Sequence, residues 1–215
     1  MGLFQRLFKQ ASHLFSIAAL LLVMQQVYAS EKILVWGDSL SAAYGMPVEK
    51  GWVNLMQKEL GDSIRIINGS VSGETTQGGI TRLPAALTQY QPDLVILELG
   101  ANDGLRGIPP RVTKQNLQKM IQLIQKNNAR VILLGMKIPP NYGVAYSRQF
   151  ENIFTVLAKE FELPFIPFFL DKVITRLDLL QEDELHPTAK AQPILLNEVL
   201  PVVNKVLKLD IKKPT

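Results

Sequence analysis

This 215-residue chain predicts an α/β fold: a parallel sheet of five strands covered by helices on both faces. Short apolar runs alternate along it with longer segments whose apolar residues recur at helical spacing. The short runs are apolar almost throughout, as strands buried on both faces are, instead of alternating apolar with polar. Hydrophobic residues make up 47% of the chain, enough for a packed core and against wholesale disorder.

Each element has its own reason. Ile33 to Trp36, Ile64 to Ile67, Leu94 to Leu99, Val131 to Gly135 and Phe165 to Ile166 are short, apolar and rich in β-branched residues, hence strands. Trp52, Leu55, Met56 and Leu60 fall on one helical face. Leu117, Met120, Ile121 and Ile124 repeat the pattern. Ile153, Leu157 and Phe161 lie four apart, with Phe154 and Ala158 alongside. Leu196, Val199, Leu200, Val203 and Leu207 make a last helix, with a bend expected near Pro201. The lysines from Lys205 onward read as a solvated helix end.

Residues 1–29 read as a secretory signal and 30–215 as a single domain. Arg6 and Lys9 form a positive start, Leu14 to Met24 an apolar stretch of 11 residues, and Val27-Tyr28-Ala29 a cleavage site. The stretch is short for a membrane span of about 20 residues, so no stable anchor is expected after cleavage, and the protein is expected in the periplasm or secreted. Arg6 and Lys9 leave with the leader, which lowers the formal charge from +4 to +2; that is no nucleic-acid footprint. The chain has no cysteine, which excludes disulfides, thiolate nucleophiles and a lipid-anchored cysteine. His13 also leaves, and His186 remains as the one histidine of the mature chain. One histidine and scattered carboxylates give no metal-ligand spacing. No cofactor is expected, and a monomer is.

In parallel α/β sheets ligands collect beyond the C-terminal ends of the strands, so the loops there are where chemistry is sought. Gly37-Asp38-Ser39-Leu40-Ser41 follows the first strand and presents a serine at a tight turn. Its hydroxyl needs a neighbouring base to attack; alone, the segment reads by default as a helix cap. Asp183-Glu184-Leu185-His186-Pro187 supplies that base by elimination, because any serine–histidine chemistry in the mature chain uses His186. Asp183 stands three residues before it, the spacing at which a short carboxylate in a turn accepts from Nδ1–H. Glu182 and Glu184 compete for that part. Two further loops can donate to an oxyanion: Asn68 to Thr75, glycine-rich, and Gly100 to Gly104, where Asn102 can donate through Nδ2 and an ionised Asp103 cannot.

Together G-D-S-L at Gly37 to Leu40, Gly73 in S-G-E-T, G-x-N-D at Gly100 to Asp103 and D-x-x-H at Asp183 to His186 resemble the SGNH (GDSL) hydrolases. The likeness is nearest to their bacterial thioesterase I, lysophospholipase L1 and arylesterase group. It runs through Leu97 to Gly107, Pro139 to Gly143 and Asp183 to Pro187, essentially the whole mature chain. The resemblance implies a three-layer α/β/α, flavodoxin-like fold. It implies Ser39 as nucleophile, His186 as base and Asp183 as its orienting acid. The implied oxyanion donors are the Ser39 and Gly73 backbone N–H groups and Asn102 Nδ2. One position departs: the family often carries glycine where this chain has Ala43, a strained choice if φ there is positive.

Leu105, Arg106, Ile138, Pro139 and Tyr142 follow the third and fourth strands and are expected to bind substrate, with Phe165, Phe168 and Phe169 as further candidates for an acyl groove. Arg106 is the candidate for an anionic head group. The expected substrates are small acyl or aryl esters, thioesters or lysophospholipids. Two other readings stand beside this one: an SGNH carbohydrate O-deacetylase, and a flavodoxin-like FMN-binding module with Ser70 to Thr76 cradling phosphate.

Overall fold

All five apolar runs form strands of one parallel sheet. The computed structural model describes residues 31–209, so the leader and the last lysines, Lys212 and Lys213, lie outside the described residues. The strands are β1 (Glu31–Gly37), β2 (Ile64–Asn68), β3 (Leu94–Glu98), β4 (Arg130–Leu134) and β5 (Phe165–Ile166). Their spatial order is β2-β1-β3-β4-β5. Strand β3 is buried at every residue, which is why its first four residues, Leu94 to Leu97, are apolar without a break.

The helices are α1 (Trp52–Leu60), α2 (Thr76–Tyr90), the single turn α3 (Ala101–Leu105), α4 (Pro110–Lys126), α5 (Val144–Glu160) and α6 (Gln192–Leu207). Helix α1 packs against α6, whereas α2 packs against α4 and α4 against α5. The sheet thus carries two helical layers, as the α/β/α expectation requires. Trp36, Trp52, Phe150, Phe154 and Phe169 are fully buried in the core. Pro201 is accommodated inside α6. Phe161 caps α5 instead of extending it. No helix among the described residues is long and apolar enough to cross a membrane.

Two elements depart from the sequence reading. Helix α2 was not foreseen, because Gly78, Gly79 and Pro84 lower its intrinsic helicity. It forms because Thr75 Oγ1 accepts the Gly78 N–H at 3.3 Å as an N-cap. The bare Gly79 also lets α2 sit against Trp36, whose indole donates to the Gly79 carbonyl at 3.3 Å. Second, no helix starts directly behind Ser39: residues 38–45 are turns, a 3₁₀ turn follows at Val48–Lys50, and α1 begins only at Trp52.

The connection after β1 runs to one neighbour, β2, and the connection into β3 returns to its other side. The crevice between the C-terminal ends of β1 and β3 is therefore the topological switch point where such sheets bind ligands. Parallel register puts Gly37 opposite Glu98, so the Ser39 and Asn102 loops open side by side.

Candidate active site

The serine turn is set by its buried neighbours. Asp38 and Glu98 are both fully buried. Glu98 Oε2 accepts the Asp38 N–H at 3.2 Å and the Ser41 hydroxyl at 2.7 Å, pinning the turn on both sides of Ser39. Gly37 makes this possible, since a Cβ there would collide with Glu98 Oε2. Burial, with the Asp38 charge beside it, pushes the Glu98 carboxyl well above the ordinary range. Ala43 adopts φ +58, so this chain does place an alanine where the backbone favours glycine. Its methyl fits because Gly51 faces it: a Cβ on Gly51 would stand 2.8 Å from the Ala43 Cβ.

His186 and Asp183 sit on the loop before α6, closed at its base by an antiparallel bridge between Leu180 and Pro187. His186 Nε2 lies 2.8 Å from Ser39 Oγ, and His186 Nδ1 lies 2.6 Å from Asp183 Oδ2. The other Asp183 oxygen accepts the backbone N–H groups of Leu185 and His186 at 3.0 and 2.9 Å. Burial alone would raise the Asp183 carboxyl. The two backbone donors and the imidazole outweigh it and hold the group at about 2, so Asp183 is ionised at neutral pH. Of the three competing acids, Asp183 is the one that meets the imidazole.

Three groups are candidate donors to an oxyanion at Ser39: its own N–H, the Gly73 N–H and the Asn102 amide. The Ser39 and Gly73 N–H groups have no hydrogen-bond partner among the described residues. Gly73 has φ +76, a conformation side chains resist, and its carbonyl accepts from Arg106 Nη2 at 2.9 Å. Asn102, in the first turn of α3, donates through Nδ2 to Asp38 Oδ2 at 3.0 Å, which leaves the second N–H of the amide free. Burial pushes the Asp38 carboxyl up to about 6, against the lowering bonds from the Leu40 N–H and Asn102. Asp103 faces the other way: Oδ2 accepts the Thr76 N–H at 2.8 Å and Oδ1 accepts the Thr76 hydroxyl. That carboxylate occupies the N-terminus of α2, where the phosphate of a flavin would need to sit.

The serine opens onto a cavity of about 450 Å³ whose walls are mostly apolar. Leu105, Ile138 and Pro139 line it, and Phe168 does too. Arg106 and Tyr142 lie outside the lining. Arg106 is used by the Gly73 carbonyl, and the Tyr142 hydroxyl donates to the Leu105 carbonyl at 3.0 Å; their polar ends brace the wall and do not form it. Phe169 is fully buried in the core, and Phe165 packs against it. Met136, Leu170, Ile174, Leu177 and Leu180 also line the cavity and were not singled out from sequence. Their apolar character reads as core until the fold turns them toward the serine. Glu98 did leave a signal, an acid closing an otherwise apolar strand.

A family model described as the GDSL-like lipase/acylhydrolase family matches residues 35–193. An arylesterase of Vibrio mimicus is 51% identical over 168 residues, covering 77% of this chain and 84% of that protein. The thioesterase 1/protease 1/lysophospholipase L1 of Escherichia coli strain K12 is 39% identical over 189 residues, 86% of this chain and 91% of its own. Among solved structures, the psychrotrophic esterase EstA from a Pseudoalteromonas species superposes with a TM-score of 0.78 at 43% identity, covering 83% of this chain and 99% of that one. On these grounds the chain belongs to the GDSL-like lipase/acylhydrolase family of hydrolytic enzymes.

Proposed function

We propose that this protein hydrolyses acyl or aryl esters and thioesters through an acyl-enzyme on Ser39. The observation that carries the reading is the unbroken line from Asp183 through His186 to Ser39, at 2.6 and 2.8 Å, at the wall of an apolar cavity. Ionised Asp183 holds Nδ1–H, which leaves Nε2 free to take the Ser39 proton as Oγ attacks the carbonyl carbon. The oxygen that gains charge is met by the Ser39 and Gly73 N–H groups and Asn102 Nδ2. As the tetrahedral intermediate collapses, the C–O or C–S bond breaks and His186 gives its proton to the leaving group, or to solvent where that group departs as an anion, and is neutral again. Water then attacks the acyl carbon, His186 takes its proton, and the acid departs as Ser39 recovers its hydrogen.

The names of the arylesterase and thioesterase relatives support this substrate class, and the apolar lining favours an acyl chain over an acetylated sugar. Residues 1–29 are proposed to export the enzyme. Acyl-CoA is chiefly cytoplasmic, so phospholipid-derived or exogenous esters are the substrates export would offer.

The test is a panel of p-nitrophenyl and thioester substrates from acetyl to long acyl, beside acetylated sugars, with Ser39→Ala as control. We expect kcat/KM to rise from acetyl to octanoyl and turnover to vanish in Ser39→Ala. Equal turnover by that variant would refute the nucleophile, and preference for acetyl sugars would make the enzyme a deacetylase.

A further inference from the structure

A second chain of contacts joins the two loops that carry Ser39 and His186. Gln181 is half-buried at the head of the His186 loop. Its Nε2 donates to the Tyr44 carbonyl at 2.8 Å and to the Pro187 carbonyl at 3.1 Å. Its backbone N–H donates to the His186 carbonyl at 2.7 Å, and its own carbonyl accepts the Glu184 N–H at 2.9 Å. Gly45 makes room for the amide: its φ is +72, and a Cβ there would collide with Gln181 Oε1. Tyr44 then lays its ring against the imidazole of His186, with centroids 4.4 Å apart and planes tilted by 40°.

We propose that Gln181 and Tyr44 form a positioning clamp that ties the serine turn to the histidine loop and keeps His186 Nε2 aimed at Ser39 Oγ. The inference rests on the roles given to Ser39 and His186 above. Asp183 fixes one edge of the imidazole, but an edge contact alone leaves the ring free to tilt out of line. The Tyr44 face closes that freedom, and an imidazolium formed during attack is favoured over an aromatic face. Gln181 fixes Tyr44 in turn. Two carbonyls converge on its Nε2, and a primary amide satisfies both; methionine at the same length donates to neither. The Tyr44 hydroxyl takes no part in either contact, so phenylalanine should serve as well.

Steady-state kinetics on p-nitrophenyl octanoate, normalised to sites counted with a phosphonate ester, test the clamp in Gln181→Met, Tyr44→Leu, Tyr44→Phe and the Gln181→Met/Tyr44→Leu double variant. A misaimed base costs turnover more than binding. Gln181→Met and Tyr44→Leu should each lower kcat about ten-fold with KM within about two-fold. Tyr44→Phe should stay within about two-fold of the parent, and the double variant should be no worse than the poorer single, because both act through one path. Tyr44 is 48% exposed, so its variants test the clamp even if Gln181→Met folds poorly. Parental kcat in Tyr44→Leu, a loss carried by KM, or losses that multiply in the double variant would overturn the clamp. Ser39→Ala, run alongside, separates the failures. If it keeps full turnover, the reading of the site falls; if it is dead while Gln181→Met and Tyr44→Leu are fully active, the clamp alone falls.

Discussion

Asn102 depends on Asp38 for its orientation. A carboxylate that accepts from Nδ2 at 3.0 Å fixes which end of the amide faces it, and so leaves an N–H for the proposed oxyanion. Asn102→Ala should therefore fold with an unchanged melting temperature and lose about two to three decades of kcat; near-parental kcat would remove Asn102 from the donor set. His186 was legible because subtracting the leader left one histidine, and Asp183 by its spacing from it. Asp38, Tyr44 and Gln181 were not, because their parts depend on contacts with residues between 64 and 142 positions away. The pairing of Ala43 with Gly51 is likewise invisible in sequence. Gly51→Ala brings two methyl carbons to 2.8 Å and should destabilise the fold, whereas adding Ala43→Gly should recover it. A coupling of about 1–2 kcal/mol in urea titrations is expected; strict additivity would show the two positions to be independent.

Strands were read more reliably than helices, for a physical reason. A strand buried on both faces is apolar nearly throughout, and β1, β3 and β4 advertise this in four consecutive apolar residues. Helix α2 owes its existence to packing: Gly78, Gly79 and Pro84 oppose a helix locally, while the close approach of Gly79 to Leu99 and Trp36 requires the missing side chain. The β4–β5 edge depends on a glycine in another way. Strand β5 has only two residues, and Gly135 extends its pairing by donating to the Ile166 carbonyl at 2.8 Å. A Cβ on Gly135 would run into the Pro167 carbonyl, which is backbone and cannot swing aside. Gly135→Ala is expected to cost about 2 kcal/mol or more. Because Met136, Ile138 and Phe168 follow on both strands and line the cavity, it should raise KM for long acyl esters as well. Thermal unfolding and a KM series check both; a stable variant with parental KM would mean the edge has slack.

Across the molecule, we propose that a leader over residues 1–29 is removed from a single domain over 30–215. Cleavage after Ala29 should give an exported protein whose measured mass matches Ser30–Thr215; intact protein starting at Met1 would overturn the leader. Composition fixed that the fold holds together without disulfides and that no thiolate can do covalent work; with the proposed leader set aside it leaves His186 as the one candidate base. Apolar periodicity fixed the five strands and four of the longer helices. These properties are local or countable, and the chain carries them wherever it goes. Which carboxylate reaches His186, which apolar side chains line a cavity instead of filling the core, and why Arg106 and Tyr142 brace that cavity from outside were decided only by the tertiary structure. Each depends on where parallel pairing at the β1–β3 switch point brings loops far apart in sequence, and on how burial then shifts the buried carboxyls beneath them.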